Sequence, residues 1–411
     1  MESMTNISFP GYEYVEEIVN GKTIKHNMYR GEDVGFGGYV YGVPGIYGRT
    51  VVFDVQSMHP STIRALNLFG DEYTKRFGDI VDLRIAIKHK DYDKAKTMLD
   101  GKVAKYLDDP ATAKQLSQAL KISINAVYGQ TSATYDNCIF KDPRNVNNIV
   151  ALRGALFMVN LRDEILKRGY KVISIKTDSV KVVNADKDIS DFIFSYGKEY
   201  GYNFEIENIF ERICLVNNST FIAKCAEDDP ETPGKWVSKA TQFQVPYVFK
   251  TLFSREELTF NDYCEVKAVS QGEIYIDMNE GLPENEHHYI FVGKVGQFTP
   301  IKEGCGGGIL YRRKDGKDYA VAGTLKSDKA KTPYRWMEST MVQELHREDD
   351  IDISYYERLC DDAIAAIEKY GSFENFISDD FEPEPFSDFM NVPTGEPDEV
   401  PFEGSHIVEQ K

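Results

Sequence analysis

The chain has 411 residues, 42% hydrophobic and 12% aromatic, enough for a sizeable core and two or three domains. That composition excludes a disordered chain, and no apolar run approaches the roughly 18 residues of a membrane helix. The net charge of −18 argues at first against a nucleic-acid partner, but ten acids and one lysine between Asp379 and Lys411 carry half of it.

The first residues lack the basic-then-apolar pattern of a signal peptide. The six cysteines form no Cys-x-x-Cys pair, which points to reduced thiols, a cytoplasmic location and no zinc site.

In chain order, residues 1–45 are a lead-in that ends in the Gly-rich "GFGGYVYGVPG". "RTVVFDVQSMHPSTIRAL" predicts a buried strand over 50–55, a short turn, and a helix with Pro60 in its first turn. Residues 76–129 predict a helical hairpin broken around "LDDPAT". Residues 146–169 predict a long amphipathic helix closed by Gly169. "SIKTDSVKV" alternates, breaks at Thr-Asp-Ser and alternates again, a β-hairpin with Asp178 at its tip. Strands with turns follow from about residue 216, then a glycine cluster at 304–308 and a helix near "SYYERLCDDAIAAIEKYG". The glycines lack the Gly-Lys-Ser/Thr of a P-loop and read as a turn. The Pro-rich acidic stretch 379–411 reads as a disordered tail. This order implies an α+β fold, a sheet with packed helices and a helical-hairpin insertion.

Three constellations carry chemistry. Asp54 ends an apolar strand, and the turn at Gln56–His59 before a helix N-terminus suits a polyphosphate. Taken alone, an aspartate capping a helix explains it as well. On "KQLSQALKISINAVYGQ", Lys114, Gln118, Lys121, Asn125 and Tyr128 share one helical stripe, and Ala113, Leu116, Leu120, Ile124 and Val127 an apolar one. An ordinary amphipathic helix is the plain alternative. Facing a nucleotide, Lys121 neutralises phosphate charge and Tyr128 lies against a base pair, with Arg84 and Lys88 as cations on the opposing arm. Third, Asp54 and Asp178 each end a strand beside a turn, so two strands can bring both carboxylates to one point. Bare, they repel. Two Mg²⁺ ions, or Mn²⁺ in their place, remove the conflict and clamp an in-line phosphoryl transfer.

These residues resemble a known family. "DVQSMHPS" resembles motif A of family B DNA polymerases, usually Asp-x-x-Ser-Leu-Tyr-Pro-Ser. "KISINAVYG" resembles motif B, Lys-x-x-x-Asn-Ser-x-Tyr-Gly, and "KTDS" sits where motif C, Asp-Thr-Asp-Ser, belongs. All three occur in family order, and the chain looks like the polymerase half of a bacteriophage-type enzyme.

The resemblance implies a right-hand fold, with palm at 46–75 and 130–215, fingers at 76–129, and thumb plus C-terminal extension at 216–378. It implies Asp54 and Asp178 as catalytic metal ligands with the Val55 carbonyl. Ser57, Met58, His59, Arg84, Lys88, Lys121, Asn125 and Tyr128 would hold a dNTP. Gly37, Gly38, Gly129, Thr177 and Phe221 would touch primer–template DNA. Gly35 stands in the tyrosine position of the family's Tyr-x-Gly-Gly, and Ser219 in the lysine position of its Lys-x-Tyr.

Three further departures matter. His59 replaces the tyrosine that blocks a ribose 2′-hydroxyl, so looser ribonucleotide rejection is expected. Ala126 replaces a serine. Lys176 replaces the first motif C aspartate, where it would pair with a carboxylate or with primer phosphate. The 53 residues before Asp54 hold no Asp-x-Glu of the family's 3′–5′ exonuclease, so either proofreading is expected on a separate chain or the gene is split or truncated, and a processivity clamp is a further expected partner. The expected activity is template-directed DNA synthesis in phage replication, in the host cytoplasm. The competing expectation, which Lys176 favours, is a catalytically inactive DNA-binding accessory subunit.

Overall fold

The computed structural model describes residues 9–133, 135, 148–279, 282–326 and 332–383. Every strand pairing is antiparallel. Strands β1 (Glu13–Val19), β2 (Lys22–Tyr29) and β3 (Glu32–Asp33) form a small meander. An eight-stranded sheet follows, built from β4 (Val40–Gly42), β5 (Gly45–Tyr47), β6 (Thr50–Val55), β7 (Lys171–Lys176), β8 (Ser179–Val183), β9 (Phe204–Asn217), β10 (Thr220–Cys225) and β11 (Trp236–Lys239). Its order is β11-β10-β9-β6-β8-β7-β4, with β5 beside β9.

β6 is central because five of its six residues are apolar or β-branched, and it alternates between two cores. Val51, Phe53 and Val55 join the main cluster with Leu156, Phe157, Val180 and Ile193. Val52 faces the opposite cluster with Ile173, Phe210 and Ile213. Asp54 therefore projects from the sheet face away from the main helices.

After β6 come α1 (Met58–Ala65), α2 (Gly70–Lys88), α3 (Tyr92–Thr97) and α4 (Pro110–Ser132). Asp109 caps α4, accepting from the Thr112 amide at 2.8 Å, with Pro110 at the first helical position. Leu83, Ala86, Ile87, Ala95 and Ala113 close a small core between α2 and α4.

α5 (Ile149–Lys167) corrects the expectation of an amphipathic helix: 15 of its 19 residues are buried, so it lies inside the molecule. Its polar residues find partners there. Arg162 forms an ion pair with Glu32 at 2.7 Å and a hydrogen bond to the Tyr39 hydroxyl. Tyr29 donates to Asn160 Oδ1 at 2.6 Å, and Arg153 donates to the Tyr200 carbonyl at 2.8 Å. The N-terminal meander thus covers what reads in sequence as a wet face. At Gly154 a Cβ would lie 2.6 Å from Met58 Sδ, so the glycine leaves room for the Met58 side chain of α1 against α5. Residues 146 and 147, where that helix was expected to begin, lie outside the described residues.

After α6 (Lys187–Glu199), β9 pairs with β6 and carries the sheet on through β11 to Lys239. The boundary expected at 215–216 therefore falls inside a strand, because the β9–β10–β11 meander hydrogen-bonds to the first sheet. A seven-stranded sheet follows, β12 (Glu265–Ala268), β13 (Glu273–Asp277), β14 (Tyr289–Gly293), β15 (Val295–Ile301), β16 (Gly308–Lys314), β17 (Lys317–Ala320) and β18 (Arg335–Glu338). Trp336, Phe298, Tyr355 and Tyr356 fill its core against α7 (Ile353–Glu368).

The acidic tail was expected from Asp379. Residues 379–383 belong to the fold: Phe381 lies 4.7 Å from the Arg212 guanidinium, and Asn375 donates to the Glu382 carbonyl at 2.9 Å. Residues 384–411 of that expectation lie outside the described residues. No helix among the described residues is long and apolar enough to cross a membrane. The five described cysteines are free, and Cys138 lies outside the described residues.

Candidate active site

Register alone puts Asp54 and Asp178 together. Asp54 pairs with Ser179 across β6 and β8, and the Val55 amide donates to the Asp178 carbonyl at 2.9 Å. Two non-glycine residues beside them hold left-handed backbone, Thr177 (φ 57°) in the β7–β8 turn and Ser57 (φ 57°) at the start of α1. The Thr177 amide donates to the Tyr39 carbonyl at 2.9 Å. At Gly38 a Cβ would meet Thr177 Oγ1 at 2.2 Å, so the Gly37–Gly38 loop lies against the hairpin tip.

Both carboxyls are half-buried, and neither takes a hydrogen bond or ion pair from another side chain among the described residues. Burial first, then the Asp178, Glu207 and Glu205 carboxylates, push Asp54 up to about 8. Burial also raises Asp178. Such a pair is short of positive charge. Among the described residues no three or more His, Cys, Asp or Glu side chains gather as a metal site. The protein offers two carboxylates, with the Val55 carbonyl on the same strand end. Carboxylate and carbonyl oxygens are the hard ligands that Mg²⁺ takes, with water completing the shell.

A cavity of about 350 Å³ opens from this pair and is lined by Asp54, Val55, Ser57, Met58, His59, Arg84, Lys88, Lys121, Asn125 and Asp178. α1 contributes its first turn, whose amides have no partner within the helix. α2 contributes Arg84 and Lys88, and α4 contributes Lys121 and Asn125. Arg84 Nη1 reaches Ser57 Oγ at 3.5 Å, while its Nε is buried without a partner. Burial lowers Arg84 from its ordinary value.

The His59 ring stacks on Tyr128 with centroids 4.0 Å apart and planes 4° apart. Its Nε2 is buried and unpartnered, and burial lowers the pKa of the imidazole. Tyr128 stands behind His59 and does not line the cavity; Asn148 Nδ2 donates to its hydroxyl at 3.3 Å. Gly129 is exposed on α4, with open space around its Cα. Phe221 lies elsewhere, in a second cleft beside β10.

Glu205 was missed in sequence. On β9 it pairs with Asp54 in register, binds Lys88 at 2.5 Å and His89 at 3.0 Å, and accepts from Gln56 Nε2 at 2.8 Å. Burial alone would raise its pKa, but the Lys88 and Gln56 hydrogen bonds bring it below the ordinary value. Glutamates at every second position of "NFEIENIF" were the available signal: they mark a polar sheet face but not what it faces.

No family model matches the chain. Over 164 residues it is 32% identical to DNA polymerase II of Escherichia coli (strain K12), covering 36% of this chain and 19% of that one. The chain thus spans about a fifth of that relative's length. Among solved structures, the family B DNA polymerase from the hyperthermophilic archaeon Pyrobaculum calidifontis aligns over 79% of this chain and 45% of that one, at 14% identity and a TM-score of 0.40. The sequence likeness to DNA polymerase II is thus confined to about a third of this chain.

Proposed function

We propose that the chain is a DNA-directed DNA polymerase, moving dNMP from a dNTP to the 3′-hydroxyl of a primer on a DNA template. The observation that carries this reading is one cavity in which two half-buried aspartates short of positive charge face Arg84, Lys121, Asn125 and the first turn of α1.

In this reading the eight-stranded sheet is the palm, α2 and α4 are the fingers, and the second sheet is the thumb. Lys121, Arg84 and the amides of Ser57–His59 hold the triphosphate. Lys88 is held at the cavity by Glu205 and turns to phosphate when a nucleotide enters. The His59–Tyr128 stack walls the sugar, while Gly37, Gly38 and Thr177 form the surface for the primer–template end. Mg²⁺ or Mn²⁺, held by Asp54, Asp178 and the Val55 carbonyl, would supply the charge neutralisation and hydroxyl activation that phosphoryl transfer requires. The chain's own residues orient the nucleotide, exclude water around its phosphates and fix the sugar.

Lys176, in the place of a motif C aspartate, favours a second reading, an inactive DNA-binding subunit. Extension of a primed template by the purified chain separates the two. Asp54→Ala and Asp178→Ala are expected to abolish extension and leave DNA affinity intact. An unmodified chain that binds primed DNA but adds no nucleotide under any divalent cation overturns the polymerase reading.

A further inference from the structure

A second cleft of about 210 Å³ lies on the same sheet face, and it shares no lining residue with the first. Lys176, Lys181 and Lys239 line it, together with Glu207, Ser219 and Phe221. Three ammonium groups therefore face one exposed carboxylate. None of the three lysines has a carboxylate at ion-pair distance among the described residues. The most confined is Lys181, only 8% exposed, with its ammonium 5.2 Å from the Phe221 ring. Burial and Lys239 together push it down to about 8. An ammonium buried this way opposes folding until an anion arrives.

Lys176 adds a spatial detail. From the β7 end of the hairpin its Nζ donates to Ser219 Oγ at 3.3 Å, across to the β9–β10 turn. A cation from one hairpin thus stands over a turn whose own residue is a serine. The hairpin that carries it also carries Asp178, so the cleft begins where the candidate active site ends.

We infer that Lys176, Lys181 and Lys239 bind the backbone phosphates of the DNA strand whose 3′ end is extended, with Lys176 bringing its charge over the β9–β10 turn at Ser219. The inference rests on the polymerase reading for the identity of that strand. Lysine suits this role as a point charge that contacts phosphate without reading sequence. The nucleotide's triphosphate is the other source of phosphate, but the cavity that faces it is lined by different cations, Arg84, Lys88 and Lys121.

The experiment measures the affinity of the full chain for a primed template by fluorescence anisotropy, without nucleotide, across a salt series. Lys176→Met and Lys181→Met are each expected to weaken binding about tenfold at physiological salt and to lower the slope of log affinity against log salt by about one. Lys181→Arg keeps the charge and should restore the slope; thermal melting checks that each variant folds. The KM for dNTP should not move. Unchanged affinity and slope in both methionine variants overturn the inference while leaving extension, and so the polymerase reading, intact. A raised KM with unchanged DNA affinity overturns it as well, by assigning these lysines to the triphosphate. Lost affinity in the variants of a chain that never extends a primer upholds the phosphate grip and refutes polymerase activity instead.

Discussion

Replacing Asp54 by asparagine should stabilise the metal-free protein. The carboxyl, pushed up to about 8 by burial and by Asp178, holds its proton in the folded state across a range where the unfolded chain releases it. A folded value raised above the unfolded one means that the unfolded state binds fewer protons between about pH 4 and pH 8, so stability falls as pH rises through that window. At pH 7 the gap from the ordinary carboxylate value is roughly three pH units, equivalent to about 4 kcal/mol as a ceiling. Asparagine keeps the shape and removes the charge, so a gain of about 2–4 kcal/mol in EDTA is expected at pH 7, shrinking towards zero near pH 4. Urea denaturation at pH 4.5, 7 and 8.5 measures it (about 1.4 kcal/mol accompanies each tenfold change in the folding constant). Millimolar Mg²⁺ should restore the missing stability to the unmodified protein and do little for the variant, because binding to the folded state alone stabilises it. Equal midpoints for the two proteins at every pH would refute the picture of two crowded, uncompensated carboxylates.

Three further outcomes are expected. His59→Tyr should raise the preference for dNTP over rNTP at least about tenfold, read from paired kcat/KM values, because a phenol reaches further than the imidazole into the cavity that residue 59 lines. Gly38→Ala places a methyl 2.2 Å from Thr177 Oγ1, so it should lower extension while shifting the melting temperature little; unchanged activity would detach the Gly37–Gly38 loop from the site. Arg162→Met should cost about 2–3 kcal/mol in urea denaturation, since it strands Glu32 beside a buried helix while Asp163 keeps Arg30, and the loss should be independent of Mg²⁺.

Local sequence determined the pieces of the candidate site. Alternating β-branched residues mark β6, the Thr-Asp pair marks the hairpin turn, and 3.6-residue spacing puts Lys121 and Asn125 on one side of α4, because these patterns depend only on neighbours along the chain. The tertiary structure decided everything that depends on which strand lies beside which. The register of β9 against β6 brings Glu205 to Lys88, and that of β8 against β6 brings Lys181 towards Phe221. The N-terminal meander makes the polar residues of α5 interior ones. Each of these contacts joins residues from 40 to over 100 positions apart, and a periodicity read along one segment carries no information about the segment that will cover it.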